Sequence, residues 1–221
     1  MDRPPAPAYK GIMPGLLLWS EFLALFGLLP LLFALGWLPV PKIPLLLAVA
    51  AACLAYLART GNLDRPYIAG LLRDNRNAVR FMALRCLAVT ILSVAAVLAT
   101  DPGLLFGFPR TRPILWLMVM LLYPILSAFP QEAIYRAFLF RRYTPILKSP
   151  EALTVASVLA FSFLHIVFAN WIAVLLTLPA GYVFTRTYRR TGSLTLATME
   201  HAAYGCIVFT TGLGRFFYHP S

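Results

Sequence analysis

Apolar runs long enough to cross a membrane recur along this chain and leave few folds open to it. A helix needs roughly 20 predominantly apolar residues to span the hydrocarbon core of a bilayer. The runs, each bounded by charge or by Pro and Gly, lie near 13–37, 40–58, 81–100, 113–129, 151–168, 170–187 and 193–213. The fourth run is expected to continue as a helix. The pattern predicts an all-α, polytopic membrane bundle of about seven transmembrane helices.

Composition leads to the same fold class. Of the 221 residues, 60% are hydrophobic and 12% are charged, and the mean hydropathy is +0.77. Soluble domains contain about 45–50% apolar and about 25% charged residues. This apolar surplus is too large for one water-soluble core, and the spans leave no length for a second domain. We expect residues 1–221 to form a single transmembrane domain, with the lipid bilayer as its first partner.

The positive charge of the chain indicates membrane topology. The net charge is +11, but the basic residues lie between apolar runs and not on one polar face, which argues against a nucleic-acid partner. With seven spans, most Lys and Arg residues fall on the side of the N-terminus, which is therefore predicted to be cytoplasmic. The first run is too long for a signal peptide. A multi-pass protein of the cell membrane, most simply a bacterial inner membrane, is expected.

Polar residues between and within the spans add two expectations. The stretch 59–80 is predicted to lie along the membrane surface as an amphipathic piece. An ionisable group at the centre of a span costs about 2.5–3.5 kcal/mol on insertion scales, so such groups tend to face the bundle interior and to carry function. The set here is Glu21, Arg85, Glu132, Arg136, His165, Glu200 and His201.

Three of these groups have compatible depths. Glu132 and Arg136 are four residues apart and can pair on one helix face, either as a structural ion pair or as part of a site. From the helix rise, Glu132 lies roughly 15 Å, His165 roughly 21 Å and His201 roughly 12 Å from the predicted cytoplasmic helix ends. The three are therefore expected to meet in a cytoplasm-facing cavity.

The residue types in this group suit the activation of water. A carboxylate in a low-dielectric cavity can act as a general base, and a histidine can assist proton transfer or donate to an oxyanion. Amide hydrolysis is a reaction that these residues can support. A zinc ion bound by Glu132, His165 and His201 is the alternative, because catalytic zinc sites use two histidines and a carboxylate.

The order of three motifs resembles a known family. The segment Gln131-Glu132-Ala-Ile-Tyr-Arg136, then Phe161-x-x-x-His165 and then His201 in a late span, resembles the CPBP family of CAAX proteases and bacteriocin-processing (Abi) proteins. The resemblance covers about 113–213. It implies an intramembrane endopeptidase for a membrane-anchored or hydrophobic protein substrate. It also implies Glu132 as general base, Arg136 as supporting charge, His165 and His201 as assisting histidines, and no catalytic metal or cofactor.

Two positions depart from the family pattern. Gln131 stands where the family usually has a first glutamate, and Gly205 stands where an asparagine is expected four residues after the third-motif histidine. Glu132 or Glu200 then remains as the base, and Asn170 or Tyr204 is a candidate for the missing donor. A catalytically inactive membrane scaffold or regulator of the same family remains an alternative, as does a small transporter or lipid-modifying enzyme.

Overall fold

The computed structural model describes residues 15–61 and 75–218, and the regular structure in these residues is helical throughout. This confirms the all-α prediction. The predicted surface piece at 59–80 falls mainly on residues 62–74, which lie outside the described residues. Seven long helical segments follow the apolar runs: α1 Gly15–Ala34, α2 Lys42–Arg59, α3 Arg76–Thr100, α4 Pro113–Arg142, α5 Pro150–Phe168, α6 Trp171–Thr191 and α7 Leu194–Thr211.

Five of these segments, α1 to α5, are long and apolar enough to cross a membrane. Helices α6 and α7 follow the last two predicted runs but fall outside that group. The described residues therefore confirm a multi-pass membrane helix bundle, while the predicted count of seven spans stays a prediction. Short helices, Gly107–Thr111 and Thr144–Leu147, connect α3 to α4 and α4 to α5.

Side-chain caps fix the starts of the last three long helices. Ser149 precedes α5, Asn170 precedes α6 and Ser193 precedes α7. The side-chain oxygen of each cap accepts a hydrogen bond from the backbone N–H three residues later. Such caps satisfy an N–H group that the helix itself leaves unpaired. Short connections and well-defined starts thus hold the second half of the chain in register.

Helix α4 is the central element and is wider than a regular α-helix at two places. Pro124–Ala128 and Ala133–Phe138 are π-helical, and the second of these segments begins directly after Glu132. Pro124 and Pro130 lack the N–H that a regular turn would use. Residues 130–139 are all buried, with α2, α5 and α7 packed against this stretch. The first-motif residues therefore lie at the centre of the bundle, on a turn type that often marks functional sites.

The connections at one end of the bundle contact each other. The Asn170 amide, between α5 and α6, donates to the Phe216 carbonyl beyond α7 at 2.7 Å. Arg215 lies 3.6 Å from Asp101, at the end of α3. These contacts join three connections that the predicted topology places on one side of the membrane.

At the opposite end of the bundle, polar contacts join the ends of α4 and α6 to neighbouring helices. Arg142, at the end of α4, makes a two-point ion pair with Glu21 of α1, at 2.9 and 2.6 Å. Arg189, near the end of α6, donates to Thr154 of α5 at 2.9 Å. The outer faces between the two ends are apolar, with Leu16, Leu92 and Ile114 largely exposed. Such surfaces suit lipid and not water.

Candidate active site

Glu132 is fully buried where α4 widens, and its two oxygens face different partners. Oε1 lies 2.8 Å from Nδ1 of His201 on α7. Oε2 lies 3.1 Å from Nε of Arg136, one turn further along α4. An ionised carboxylate only accepts hydrogen bonds, so His201 donates through Nδ1. The structure thus joins the first and third motifs directly.

Arg136 is also fully buried and is held mainly by α5 and α6. Its Nη2 donates to the Gly181 carbonyl at 3.2 Å, and its guanidinium lies over the Phe161 ring at 4.3 Å from the centroid. A Cβ at position 181 would come within 2.9 Å of the Phe161 ring. Glycine at this position therefore lets α6 approach α5 closely enough for its carbonyl to reach Arg136.

Several buried polar atoms around Glu132 have no hydrogen-bond partner in the described part of the chain. They are Gln131 Oε1, Glu132 Oε2 and the Nε and Nη1 atoms of Arg136. The 3.1 Å separation between Arg136 Nε and Glu132 Oε2 is that of an ion pair, but the two groups are not aligned for a hydrogen bond. Buried polar atoms are nearly always paired with protein or ordered water. These four atoms therefore have the capacity to bind a water molecule or a polar group of a substrate.

His201 is fixed on both sides of its ring. Nε2 lies 2.9 Å from the hydroxyl of Tyr123 on α4, and the ring stacks on Phe184 at a centroid distance of 4.7 Å. Sequence reasoning did not identify Tyr123, because a tyrosine in an apolar run carries no pattern of its own. The available signal was Gly205, one turn after His201, which leaves space on this face of α7.

His165 lies next to the Glu132–His201 pair without bonding to it. It begins a 3₁₀ turn at the end of α5, and its Nδ1 lies 2.8 Å from the Phe161 carbonyl. The Phe161 ring contacts both histidine rings, with centroid distances of 4.9 Å to His165 and 5.4 Å to His201. The predicted depths implied one open cavity for all three groups. In the structure the three side chains are buried, and the Phe161 ring lies against both histidines.

The candidate supporting residues occupy different positions. The Gln131 amide, next to Glu132, donates to Ser127 at 2.9 Å. Asn170 caps α6 and donates to the Phe168 and Phe216 carbonyls, so both ends of its side chain are engaged in structural bonds. The Asn170 hydrogen bonds therefore hold the end of the bundle together.

Glu200 and Tyr204 lie on the face of α7 next to the His201 face. Glu200 accepts from Arg85 Nε at 2.7 Å and also from the Thr187 hydroxyl. The Tyr204 ring lies edge-on to Phe184, which stacks on His201. Glu200 thus belongs to a second buried cluster that links α3, α6 and α7, and Tyr204 packs between the two clusters.

The zinc alternative stays a prediction that the described side chains do not favour. Among residues 15–61 and 75–218, no group of three or more His, Cys, Asp and Glu residues is arranged to hold a metal ion. Glu132 and His201 bind each other, and His165 Nδ1 faces the Phe161 carbonyl. A zinc site would need all three side chains to converge on one point.

Comparison with protein families finds a match for part of the chain. Residues 113–207 match the model of a family described as type II CAAX prenyl endopeptidase, Rce1-like. Comparisons with curated proteins and with solved structures find no match to this chain. The matched residues run from the start of α4 into α7 and include all three motifs. Residues 113–207 are therefore similar to the CAAX protease family that the order of the motifs indicated, and the rest of the chain lies outside the match.

Proposed function

We propose that this chain is a glutamate-dependent intramembrane endopeptidase that hydrolyses a peptide bond of a membrane-associated protein substrate. The observation that carries the proposal is the unequal state of the two Glu132 oxygens. Oε1 is held by His201 at 2.8 Å, whereas Oε2 is buried without a hydrogen-bond partner among the described residues. A buried carboxylate oxygen with free acceptor capacity is a suitable place for a nucleophilic water.

In the proposed reaction, Glu132 Oε2 takes a proton from this water as the water oxygen attacks the carbonyl carbon of the scissile bond. A tetrahedral intermediate forms, and its oxygen carries the negative charge. The carboxylic acid of Glu132 then gives its proton to the leaving nitrogen as the C–N bond breaks. One water is consumed, and Glu132 returns to the carboxylate. The Nε and Nη1 groups of Arg136, which donate no hydrogen bond to any described residue, lie beside the carboxylate and can stabilise negative charge.

His165 has an assisting role in this proposal. It lies on α5, and its ring shares the Phe161 contact with His201. Its Nδ1 is bound to the Phe161 carbonyl, and its Nε2 has no hydrogen-bond partner in the described residues. Nε2 is therefore the atom of His165 that remains for contact with a substrate or with water.

The substrate class follows from the location and the family. Glu132 and His165 lie on helices that are long and apolar enough to cross a membrane, which favours a substrate that enters from the bilayer or is anchored in it. The matched family is described as type II CAAX prenyl endopeptidase, and we extend this only to a lipid-anchored or hydrophobic protein substrate. The proposed location is the cell membrane, most simply a bacterial inner membrane.

The proposal is tested by sequencing the termini of membrane proteins in cells that carry either the wild-type chain or Glu132→Gln. Glu151→Gln is the matched control, because it makes the same change on a largely exposed side chain of α5. We expect a discrete set of new termini in the wild type and in Glu151→Gln, and its loss in Glu132→Gln at equal protein level. Identical profiles in all three would contradict the proposed activity of Glu132.

A second candidate function is a non-catalytic regulator of the same family. Gln131 favours it, because an amide cannot serve as a base at the position where the family usually has a glutamate. The Gln131 carbonyl oxygen is buried and unpaired in the described residues. The variant Gln131→Glu separates the two functions. If only this variant produces new termini, the wild-type chain is the regulator; if the wild type produces them, the protease proposal stands.

A further inference from the structure

The first inference concerns Tyr123, whose hydroxyl lies 2.9 Å from Nε2 of His201. The other nitrogen of that ring, Nδ1, lies 2.8 Å from Glu132 Oε1. In a neutral imidazole one nitrogen donates and the other accepts. Because an ionised carboxylate can only accept, the proton resides on Nδ1, and Nε2 accepts from the Tyr123 hydroxyl. The two contacts therefore select the same tautomer of His201.

Gly205 provides the space for this arrangement. A Cβ at position 205 would overlap the aromatic ring of Tyr123 and would lie 2.6 Å from its hydroxyl oxygen. The ring is otherwise held edge-on by His201 and by Phe209, at centroid distances of 5.9 and 5.6 Å. Any side chain at position 205 would displace Tyr123 from His201. The glycine and the tyrosine are a matched pair contributed by α7 and α4.

We infer that Tyr123 is a positioning residue, seated through Gly205, that holds His201 as the Nδ1–H tautomer against Glu132. Its effect on cleavage rests on the proposed function, whereas its effect on His201 does not. The phenol keeps the proton off Nε2, so that the hydrogen bond to Glu132 Oε1 persists. That bond leaves Oε2 as the carboxylate oxygen that accepts no hydrogen bond from the described residues.

The test is ¹⁵N NMR of histidine in the purified full chain in lipid nanodiscs, combined with cleavage kinetics. The wild type is expected to hold His201 as the Nδ1–H tautomer. Tyr123→Phe, which keeps the ring and removes the hydroxyl, is expected to give a mixture of tautomers. It should also lower kcat about tenfold, less than the roughly 10²-fold or more that is lost with a group that transfers the proton itself, with KM unchanged. An unchanged His201 spectrum in Tyr123→Phe, or a wild type protonated on Nε2, would overturn the inference.

The two proposals fail in different ways. If the wild type cleaves nothing but Tyr123→Phe changes the His201 tautomer, the proposed function fails and the positioning role stands. If cleavage depends on Glu132 but neither cleavage nor the His201 spectrum depends on the Tyr123 hydroxyl, the positioning role fails and the protease proposal stands.

Substitutions at position 205 add a rescue test. Gly205→Ala should reproduce the spectrum of Tyr123→Phe by displacing the ring, whereas Gly27→Ala, where nothing lies within 4 Å of the added Cβ, should not. The double variant Gly205→Asn with Tyr123→Leu places an amide donor on the same face of α7 and is expected to restore the tautomer. Normal His201 spectra in Gly205→Ala would contradict the inference.

A second inference concerns the C-terminal half of α6, away from the Glu132 cluster. A cavity of 310 Å³ is lined by Thr154, Tyr182, Arg186, Arg189 and Arg190. Arg189 is partly engaged, because it donates to Thr154 and lies 3.6 Å from Glu151. Arg186 and Arg190 have no ion pair or side-chain hydrogen bond with any described residue. The cavity therefore carries two uncompensated guanidinium groups.

The position of these groups suits a phosphate at the membrane surface. Tyr182, Arg186 and Arg190 follow each other at intervals of four residues and so share one face of α6. Arg186 lies about 7.5 Å inside the end of the helix at Thr191, a depth from which an arginine can reach the headgroup layer. Tyr182 is exposed one turn deeper. Tyrosine is enriched where the hydrocarbon meets the headgroups.

The geometry points to a site at which Arg186 and Arg190 bind a phosphate group, either of a phospholipid headgroup or of free phosphate. Basic cavities between membrane helices on the cytoplasmic side are known to bind such headgroups. Arginine can donate two parallel hydrogen bonds to a phosphate, whereas the lysine ammonium acts as a point charge.

The test measures lipid retention by mass spectrometry of the full chain from nanodiscs that contain equal phosphatidylglycerol and phosphatidylcholine. The wild type should retain phosphatidylglycerol preferentially, and Arg186→Gln with Arg190→Gln should reduce that preference about tenfold. The control Arg141→Gln with Lys148→Gln removes equal charge elsewhere on the predicted cytoplasmic side and should retain it.

A second arm separates the two phosphate sources. Thermal stability of the wild type in phosphatidylcholine nanodiscs is measured with added inorganic phosphate. If phosphate stabilises the wild type but not the double variant, free phosphate is a ligand. If phosphate stabilises neither protein and the wild type retains the lipid, the ligand is the headgroup. Equal behaviour of the wild type and the double variant in both arms would overturn the site.

Discussion

Glu132 and Glu200 are both fully buried glutamates, one on α4 and one on α7, but their surroundings differ. Both oxygens of Glu200 accept hydrogen bonds, from Arg85 and from Thr187. Glu132 has one oxygen bound by His201 and one without a hydrogen bond among the described residues. A satisfied buried carboxylate holds helices together, whereas an under-satisfied one keeps capacity for another ligand. The difference separates a structural cluster from a candidate catalytic one, although the two clusters meet at adjacent residues of α7.

The largest expected effect is on catalysis and separates the two carboxylates. Glu132→Gln should lower the cleavage rate per folded molecule about 10³-fold, the scale of a lost general base, and should also lower stability, because the buried Arg136 loses its counterion. Glu200→Gln should leave the rate per folded molecule unchanged and lower the melting temperature. The measurements are cleavage of an identified substrate in nanodiscs and thermal unfolding. Equal loss of activity in both variants, with both folded, would end the distinction between the clusters.

The next largest effect is on the stability of the structural cluster. Arg85→Ala removes the cation from the Glu200 pair and should lower the free energy of unfolding by about 3 kcal/mol, because a buried carboxylate is left without its partner. Arg80→Ala, five residues earlier at an exposed position of α3, is the control and should have little effect. The measurement is chemical unfolding in detergent micelles. Equal stability of the two variants would show that the Glu200 pair holds no helices together.

A smaller effect is expected from packing beside the candidate catalytic cluster. Gly181→Ala places a Cβ within 2.9 Å of Phe161, and overpacking of this kind typically costs about 1–3 kcal/mol. Since Phe161 lies against the Arg136 guanidinium, activity should fall together with stability. Gly27→Ala serves as the control. A stable and fully active Gly181→Ala variant would mean that the Phe161 ring moves without disturbing Arg136.

The smallest effect concerns Asn170, one of the candidate donors. Its side chain caps α6 and binds the Phe216 carbonyl, so Asn170→Ala should lower stability by about 1 kcal/mol, as for a lost helix cap. Asn170→Asp keeps the cap and should recover much of that stability. Cleavage per folded molecule is expected to stay unchanged in both variants. A loss of rate without a loss of stability would instead identify Asn170 as part of the active site.

Much of the architecture could be predicted from the sequence because the membrane restricts the choices. Long apolar runs can satisfy their backbone groups in lipid only as helices, so the positions of the helices followed from the pattern. The α4 extension through Arg136 was predicted as well, and the spacing of Glu132 and Arg136 indicated their pairing. The motif order indicated the family that residues 113–207 match. These features depend on local composition and on residues close in the chain.

The tertiary structure alone decided which of the intramembrane polar groups share a cluster. Glu200 and His201 are neighbours in sequence, yet their side chains leave α7 in different directions and join different partners. His165 was expected beside Glu132, but the packing of Phe161 holds it next to that pair without a direct bond. Tyr123 reaches His201 only because position 205 has no side chain. Helix periodicity gives the depth of a residue, whereas the rotation and close approach of neighbouring helices determine what it touches.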